Sequence, residues 1–341
     1  MRVKIMPLAI AALIACSAFG QPSPDQTVDK VFHFANTTLP QGRAEITNAI
    51  RTIAAIQKAS VDNGASVLAV SGTAGQIAMA EWLFFEMDKP ADAPPPKVAP
   101  VEFRVAGAAD DVARVFYLVN SPTTQAAQEI VNTIRSLAEI QRILVYNAPK
   151  AVAMRGTVEQ VAFAEWLIGL LDKPAGPNQD SGPYEYRSAG SNANVARVFY
   201  PKYAETPQSL QEIVNLIRSI AEIQRAVMVS GPKALALRGT ADQLALTEWL
   251  IRELDKPAGS QNQNPAPLEY RIAGNPTPVV RVFYPSHTDT PQALQEVASM
   301  VRTTTSIQRL VVYNTTKALT VRGTGDQIAR AEQLLKDRDK Q

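Results

Sequence analysis

A chain of 341 residues with 46% hydrophobic content is too long for one ordinary core and too apolar for wholesale disorder. Its 34 Lys and Arg against 32 Asp and Glu leave a formal charge of +2, and loss of Arg2 and Lys4 would bring it to neutrality. That balance gives no electrostatic basis for binding nucleic acid or an anionic membrane surface.

Arg2 and Lys4 precede an apolar run from Ile5 to Ala15, shorter than the roughly 20 residues of a membrane-spanning helix. With Ala18-Phe19-Gly20 ahead of Gln21, residues 1–20 read as a secretory signal peptide, leaving no integral membrane segment once removed. Leu13-Ile14-Ala15-Cys16 also fits a bacterial lipoprotein cleavage box, which would lipidate Cys16 and anchor the chain at the outer membrane. Soluble periplasmic export and lipid anchoring both stay open. Cys16 is the only cysteine, so stability has to come from packing rather than from a disulfide.

The steps Gly72-Thr73, Gly156-Thr157, Gly239-Thr240 and Gly323-Thr324 stand 84, 83 and 84 residues apart, a four-fold repeat. It divides the chain into modules at 28–90, 101–174, 184–257 and 268–339. The stretches between, 91–100, 175–183 and 258–267, are rich in Pro, Asn and Gln and read as linkers.

Each module opens on an apolar strand: Val31 to Phe34, Arg114 to Leu118, Arg197 to Tyr200, Arg281 to Tyr284. A helix follows, and in the third module Thr206-Pro207 supplies its cap and first residue. Leu210, Ile213, Val214, Ile217 and Ile220 then make one apolar stripe at helical spacing. Two strands joined by a tight turn come next, as in Arg142 to Tyr146 and Ala151 to Met154. Lys58 to Asp62, their counterpart in module one, is a weak strand former. Thr73-x-x-Gln76 and its three repeats fit a capping box opening a second helix, with the preceding glycine letting the chain turn sharply. That helix stops at Asp-Lys-Pro in modules one to three.

After each linker lies a further strand-like segment: Val101 to Gly107, Tyr184 to Gly190, Leu268 to Gly274. The fold class is therefore α+β: a tandem array of four small βαββα modules. Each is a KH-like three-stranded sheet covered by two helices, with an extra strand ahead of modules two to four.

Beside its core face the second helix carries another apolar strip: Met79 and Trp82, Phe163 and Trp166, Leu246 and Trp249. Module four has Arg330 and Gln333 there. All three tryptophans of the protein occupy one equivalent position, and large rings are seldom left exposed. Either they fill their own module's core, or the strip packs against the extra strand or the next module. On the second reading Trp82, Phe163, Trp166, Leu246 and Trp249 are inter-module packing residues, and module four is a polar terminal cap.

No catalytic or metal constellation emerges, so no enzyme activity, metal or cofactor is expected. His33 and His287 do not align and have no second ligand at metal spacing. Gly72-Thr73-Ala74-Gly75 matches the GxxG loop of nucleic-acid-binding KH domains but coincides with the capping box and lacks basic neighbours. The arginine rows (114, 197, 281; 142, 225, 309; 155, 238, 322) read as strand-end residues paired with glutamates such as Glu139 and Glu222. A ligand-reading row along the array is the alternative.

The order β-α-β-β-α, with Val145 to Lys150, Ala151 to Thr157 and Leu167 to Pro174, resembles the short N-terminal repeat domain of bacterial secretins. These are the outer-membrane pores of type II and type III secretion and of type IV pili. The resemblance covers about four-fifths of the chain, best in modules two and three. It implies modules that pack against like modules and against periplasmic proteins. Secretins continue into a β-rich pore domain that these 341 residues lack, so pore formation does not carry over. The expectation is a non-catalytic exported interaction array with secretion or pilus components as partners and self-association left open. The alternative is a structural periplasmic spacer or lipid-anchored envelope protein with no dedicated partner.

Overall fold

Antiparallel pairing of apolar strands, followed each time by a capped helix, builds one unit four times over. The computed structural model describes residues 26–90, 101–105, 111–147, 150–174, 182–187, 195–257, 268–273, 278–286, 288 and 290–338. The first module contains β1 (Thr27–His33), α1 (Pro40–Ile53), β2 (Lys58–Asp62), β3 (Val67–Thr73) and α2 (Ala74–Met87), with strand order β1-β3-β2. The second adds an edge strand: β4 (Val101–Arg104), β5 (Val112–Tyr117), α3 (Thr124–Leu137), β6 (Arg142–Asn147), β7 (Lys150–Gly156) and α4 (Val158–Leu171), in order β4-β5-β7-β6.

The third has β8 (Tyr184–Arg187), β9 (Val195–Phe199), α5 (Pro207–Leu216, continued by a π-helical turn, Ile217–Ala221), β10 (Arg225–Val229), β11 (Ala234–Gly239) and α6 (Ala241–Leu254). The fourth has β12 (Leu268–Arg271), β13 (Val279–Phe283), α7 (Pro291–Thr305), β14 (Arg309–Tyr313), β15 (Ala318–Gly323) and α8 (Gly325–Arg338). Both sheets keep the order of the second. The extra strand thus joins the sheet beside the module's first strand and makes it four-stranded. Lys58 to Asp62, weak by composition, is nonetheless a strand, because all five residues pair with Val67 to Ser71 of β3. Tertiary pairing overrides local preference here.

At the head of the second helix, Thr157 N donates to Gln160 Oε1 at 3.0 Å and Gln160 N donates to Thr157 Oγ1 at 3.1 Å. Thr73, Thr240 and Thr324 repeat the pair. The glutamine amide goes further and donates to the end of the module's first helix, as Gln76 Nε2 does to Ala55 O at 2.8 Å. This revises the role of the glycine. Gly156 has no left-handed backbone; a Cβ there would lie 2.9 Å from Gln160 Oε1. Glycine leaves clearance for the capping glutamine to fold over it. Gly156→Ala is expected to displace Gln160 and destabilise the protein by about 1 kcal/mol in urea denaturation.

The Asp of Asp-Lys-Pro does more than precede a proline. Asp88 is buried and its carboxylate accepts from Ala35 N and Thr37 N, both at 2.7 Å, in the loop leading to α1. Asp172 does the same for Val119 and Asn120, and Asp255 for Lys202 and Tyr203.

The apolar residues form four clusters, three of which cross from one module to the next. Along β9, Val195 and Phe199 face the third module's own helices, while Ala196 and Val198 join the cluster built on α3 and α4 of the second. In the same way Ala113 and Val115 pack on α1 and α2, and Val280 and Val282 on α5 and α6. Sheets two to four are therefore buried on both faces, each lying on the helix layer of the module before it. Their strands accordingly read as near-continuous apolar runs rather than as alternating patterns.

Candidate functional site

With sheets two to four covered on both sides, the chain concentrates its recurring side-chain arrangements at three joints. The middle of each joint is apolar and its rim polar. At the first, Glu45 of α1 accepts from Asn147 N at 3.0 Å and Asn147 Nδ2 at 2.9 Å, and Arg155 Nη1 donates to Ile53 O at 3.0 Å. Tyr117 OH donates to Glu86 O at 2.9 Å. The second joint substitutes Glu129 with Ser230 N, Arg238 with Leu137 O and Tyr200 with Leu170 O. The third uses Glu212 with Asn314, Arg322 with Ile220 O and Tyr284 with Glu253 O. Each arginine sits on the carbonyl end of a helix, where the exposed acceptors and the helix dipole both favour a cation.

The tryptophans stand at these joints. Trp82 lies 5.6 Å from Phe103, Trp166 5.4 Å from Tyr186 and Trp249 5.6 Å from Tyr270, measured between ring centroids. In every case the partner is on the edge strand of the following module. Phe163 stacks on Tyr186 at 4.7 Å, and Leu246 is buried in the cluster holding Val280 and Val282. Arg330 and Gln333, at the same positions in α8, are exposed. Such aromatic pairs add about 0.5–1.5 kcal/mol each beyond their buried area.

Among the described residues eight of the nine row arginines, all but Arg142, form ion pairs within the chain. Arg225 and Arg238 both meet Glu139, and Arg309 and Arg322 both meet Glu222, each across a joint. At the first joint Ala55 holds the equivalent place, and Arg155 pairs instead with Asp111 at 2.6 Å. Arg114 bridges Glu102 of β4 and Glu165 of α4, and Arg197 and Arg281 bridge the corresponding glutamates. The hydrogen bond from Arg114 holds Glu102 below the usual carboxylate range, and Arg281 does the same for Glu269.

The hollows along the joints are modest. One of about 220 Å³ lies among Glu139, Gln160, Phe163, Tyr186 and Arg238, and one of about 250 Å³ beside Thr37, Glu45 and Lys89. Both fall below the roughly 300–1,000 Å³ of ordinary small-molecule sites. Among the described residues no group of three or more His, Cys, Asp or Glu is arranged to hold a metal, and no helix is long and apolar enough to cross a membrane. His33 is exposed on β1, and Gly72 to Gly75 form the end of β3 and the first turn of α2. His287, Cys16 and the signal-like residues lie outside the described residues.

Sequence reasoning missed the joint tyrosines and glutamates. Tyr117, Tyr200 and Tyr284 recur 83 and 84 residues apart, as do Glu45, Glu129 and Glu212 at 84 and 83, and that period was the available signal. Burial at the joints pushes Tyr146, Tyr284 and Tyr313 up to about 12, from an ordinary value near 10. A phenol whose folded pKa is raised contributes stability that is complete below pH ~10 and is lost as pH rises toward 12. Tyrosinate absorbance from these residues is expected to appear together with loss of helical ellipticity above pH ~10, not ahead of it.

No protein-family model matches the chain, and no curated protein matches it. Among solved structures, ExeD of Aeromonas hydrophila is 16% identical over 68% of this chain and 41% of its own, with a TM-score of 0.17. The type II secretion system secretin GspD of E. coli K12 is 14% identical over 68% of this chain and 39% of its own, with a TM-score of 0.16. A protein of unknown function from Aeropyrum pernix is 18% identical over 43% of this chain and 83% of its own, with a TM-score of 0.23. The chain thus spans less than half the length of either secretin. At TM-scores of this size the likeness decides nothing about role or partner.

Proposed function

We propose that this protein is a non-catalytic, exported array of four secretin N-domain-like modules, at 28–90, 101–174, 184–257 and 268–339, that binds protein components of a secretion or pilus apparatus. The observation that carries the reading is the threefold joint: apolar centre, tryptophan on the next edge strand, arginine on the preceding helix end. Residues that recur in this chain serve the stacking of one module on another, and the sequence order β-α-β-β-α is that of the secretin repeat. In this reading Trp82, Phe163, Trp166, Leu246 and Trp249 are the inter-module packing residues, and the apolar lead before Gln21 directs export, with Cys16 as the lipidation point if a lipid anchor is used.

The test is affinity capture of the full-length exported protein from envelope extract after mild cross-linking, with the recovered proteins identified by mass spectrometry. Enrichment of secretin or pilus-assembly proteins over a control bait supports the proposal. Recovery of no envelope protein, together with a rod-like small-angle scattering profile, overturns it in favour of a spacer without a dedicated partner.

A further inference from the structure

Among the described residues the first module shows no counterpart of an element that the other three possess. In modules two to four an edge strand pairs antiparallel with the first sheet strand: β4 on β5, β8 on β9, β12 on β13. Among the described residues nothing pairs with the outer edge of β1, and its sheet has three strands. The side chains of β1 are correspondingly open. Val31, on a face that no module covers among the described residues, is 51% exposed, whereas its equivalents Val115, Val198 and Val282, packed on the helices of the module before, are 0%, 0% and 3% exposed. Val28 is 40% exposed, against 1%, 1% and 6% for Val112, Val195 and Val279.

The three filled edges show what such an edge accepts. Their strands read Val-Glu-Phe-Arg, Tyr-Glu-Tyr-Arg and Leu-Glu-Tyr-Arg. In each the glutamate lies directly opposite an arginine, Glu102 opposite Arg114, Glu185 opposite Arg197, Glu269 opposite Arg281. Module one has Lys30 at that arginine position. Lys30 reaches Glu81 of α2 at 3.2 Å, just as Arg114 reaches Glu165, but it lacks the second carboxylate, and its side chain is 41% exposed against 19% for Arg114.

We infer that β1 is a strand-addition site for an extended peptide of a partner protein, antiparallel to β1, carrying an apolar residue opposite Val31 and a glutamate opposite Lys30. Main-chain hydrogen bonds along the open edge give the affinity, and alternate side chains give the register. Asp29 stands where the filled edges have Ala113, Ala196 and Val280, so the third peptide residue is basic rather than aromatic. The pattern is apolar-Glu-basic-Arg. Asp29 and Lys30 together refuse a plain apolar strand, the usual way in which natural edges avoid indiscriminate pairing, and admit one with charges in matching order. A second copy pairing β1 on β1 in register about Lys30 would set Lys30 against Lys30, which disfavours it.

This deepens the interaction reading by naming the partner's chemistry, but it is tested without any envelope protein. The peptide Pro-Leu-Glu-Lys-Arg-Ile-Ala is titrated into the exported full-length protein and followed by amide chemical shifts. Saturable shifts confined to Thr27–His33 and α2, about fivefold weaker binding by Lys30→Glu, and recovery with Glu replaced by Lys in the peptide are the expected results. The peptide with Tyr in place of Lys should bind less well. No saturable shift at millimolar peptide, or shifts mapping to β2 or α8, overturns the proposal. So do β1 shifts that depend on protein concentration without peptide, which would identify a second copy as the occupant. Failure here with successful capture of secretion proteins would reject the edge site and leave the interaction role standing.

Discussion

Ala236→Glu should destabilise the protein by about 4 kcal/mol and part the second module from the third. Ala236 is fully buried on the face of β11 that packs against α3 and α4, in the cluster that also holds Phe163 and Leu167. A carboxylate has no partner there, and an uncompensated buried charge typically costs 3–5 kcal/mol. The protein supplies its own control. Ala69 occupies the same position on β3, opposite Val31, but among the described residues no module covers that face, and Ala69 is only half-buried. Ala69→Glu should therefore cost less than about 1 kcal/mol. Calorimetry on both variants, with small-angle scattering to detect bending at the joint, checks the pair. Equal destabilisation would mean that burial of the second sheet face is not what holds the modules together.

Asp88→Ala should cost about 3 kcal/mol, and the loss should be local. Its carboxylate is the acceptor for the backbone donors Ala35, Asn36 and Thr37, and charged acceptors of this kind are the stronger hydrogen-bonding class. Among the described residues the first module packs on one neighbour, and arrays of this type come apart by nearest-neighbour terms. Its unfolding should separate from that of the other three as an early step in urea, with hydrogen exchange accelerated in Phe34 to Ile53 and unchanged in α6. Asp88→Asn keeps one acceptor oxygen and should lose about half as much.

Much of this architecture can be read along the chain, because its cues are local. The Thr-x-x-Gln boxes, the helical stripe from Leu210 to Ile220 and the period of the Gly-Thr steps all lie within a few residues or recur at one spacing. Other features depend on partners far away. The carboxylate of Asp88 serves a loop 51 to 53 residues earlier, and Glu45 serves a turn 102 residues later, so neither shows in any window of sequence. Lys58 to Asp62 looks weak because its strand character comes from β3. The glycine before each threonine looks like a bend and is instead clearance for the glutamine three residues past that threonine. The open edge of β1 is legible only by subtraction, from a strand that three modules have and that the described residues of the first do not show.

Because all three joints use equivalent positions, the length of this protein is open to change by recombination in whole units. A crossover between the codons of Gly156 and Gly239 would excise 83 residues and leave α6 to follow β7, with Trp249 still facing Tyr270. Unequal exchange the other way would add a unit. The first and last modules differ from this pattern, with Asp29, Ser60 and Asp62 on the first sheet and Arg330 and Gln333 on the last helix where the other modules are more apolar. Relatives of this chain are expected to differ in length by multiples of about 84 residues, with the variation confined to copies of the two central modules.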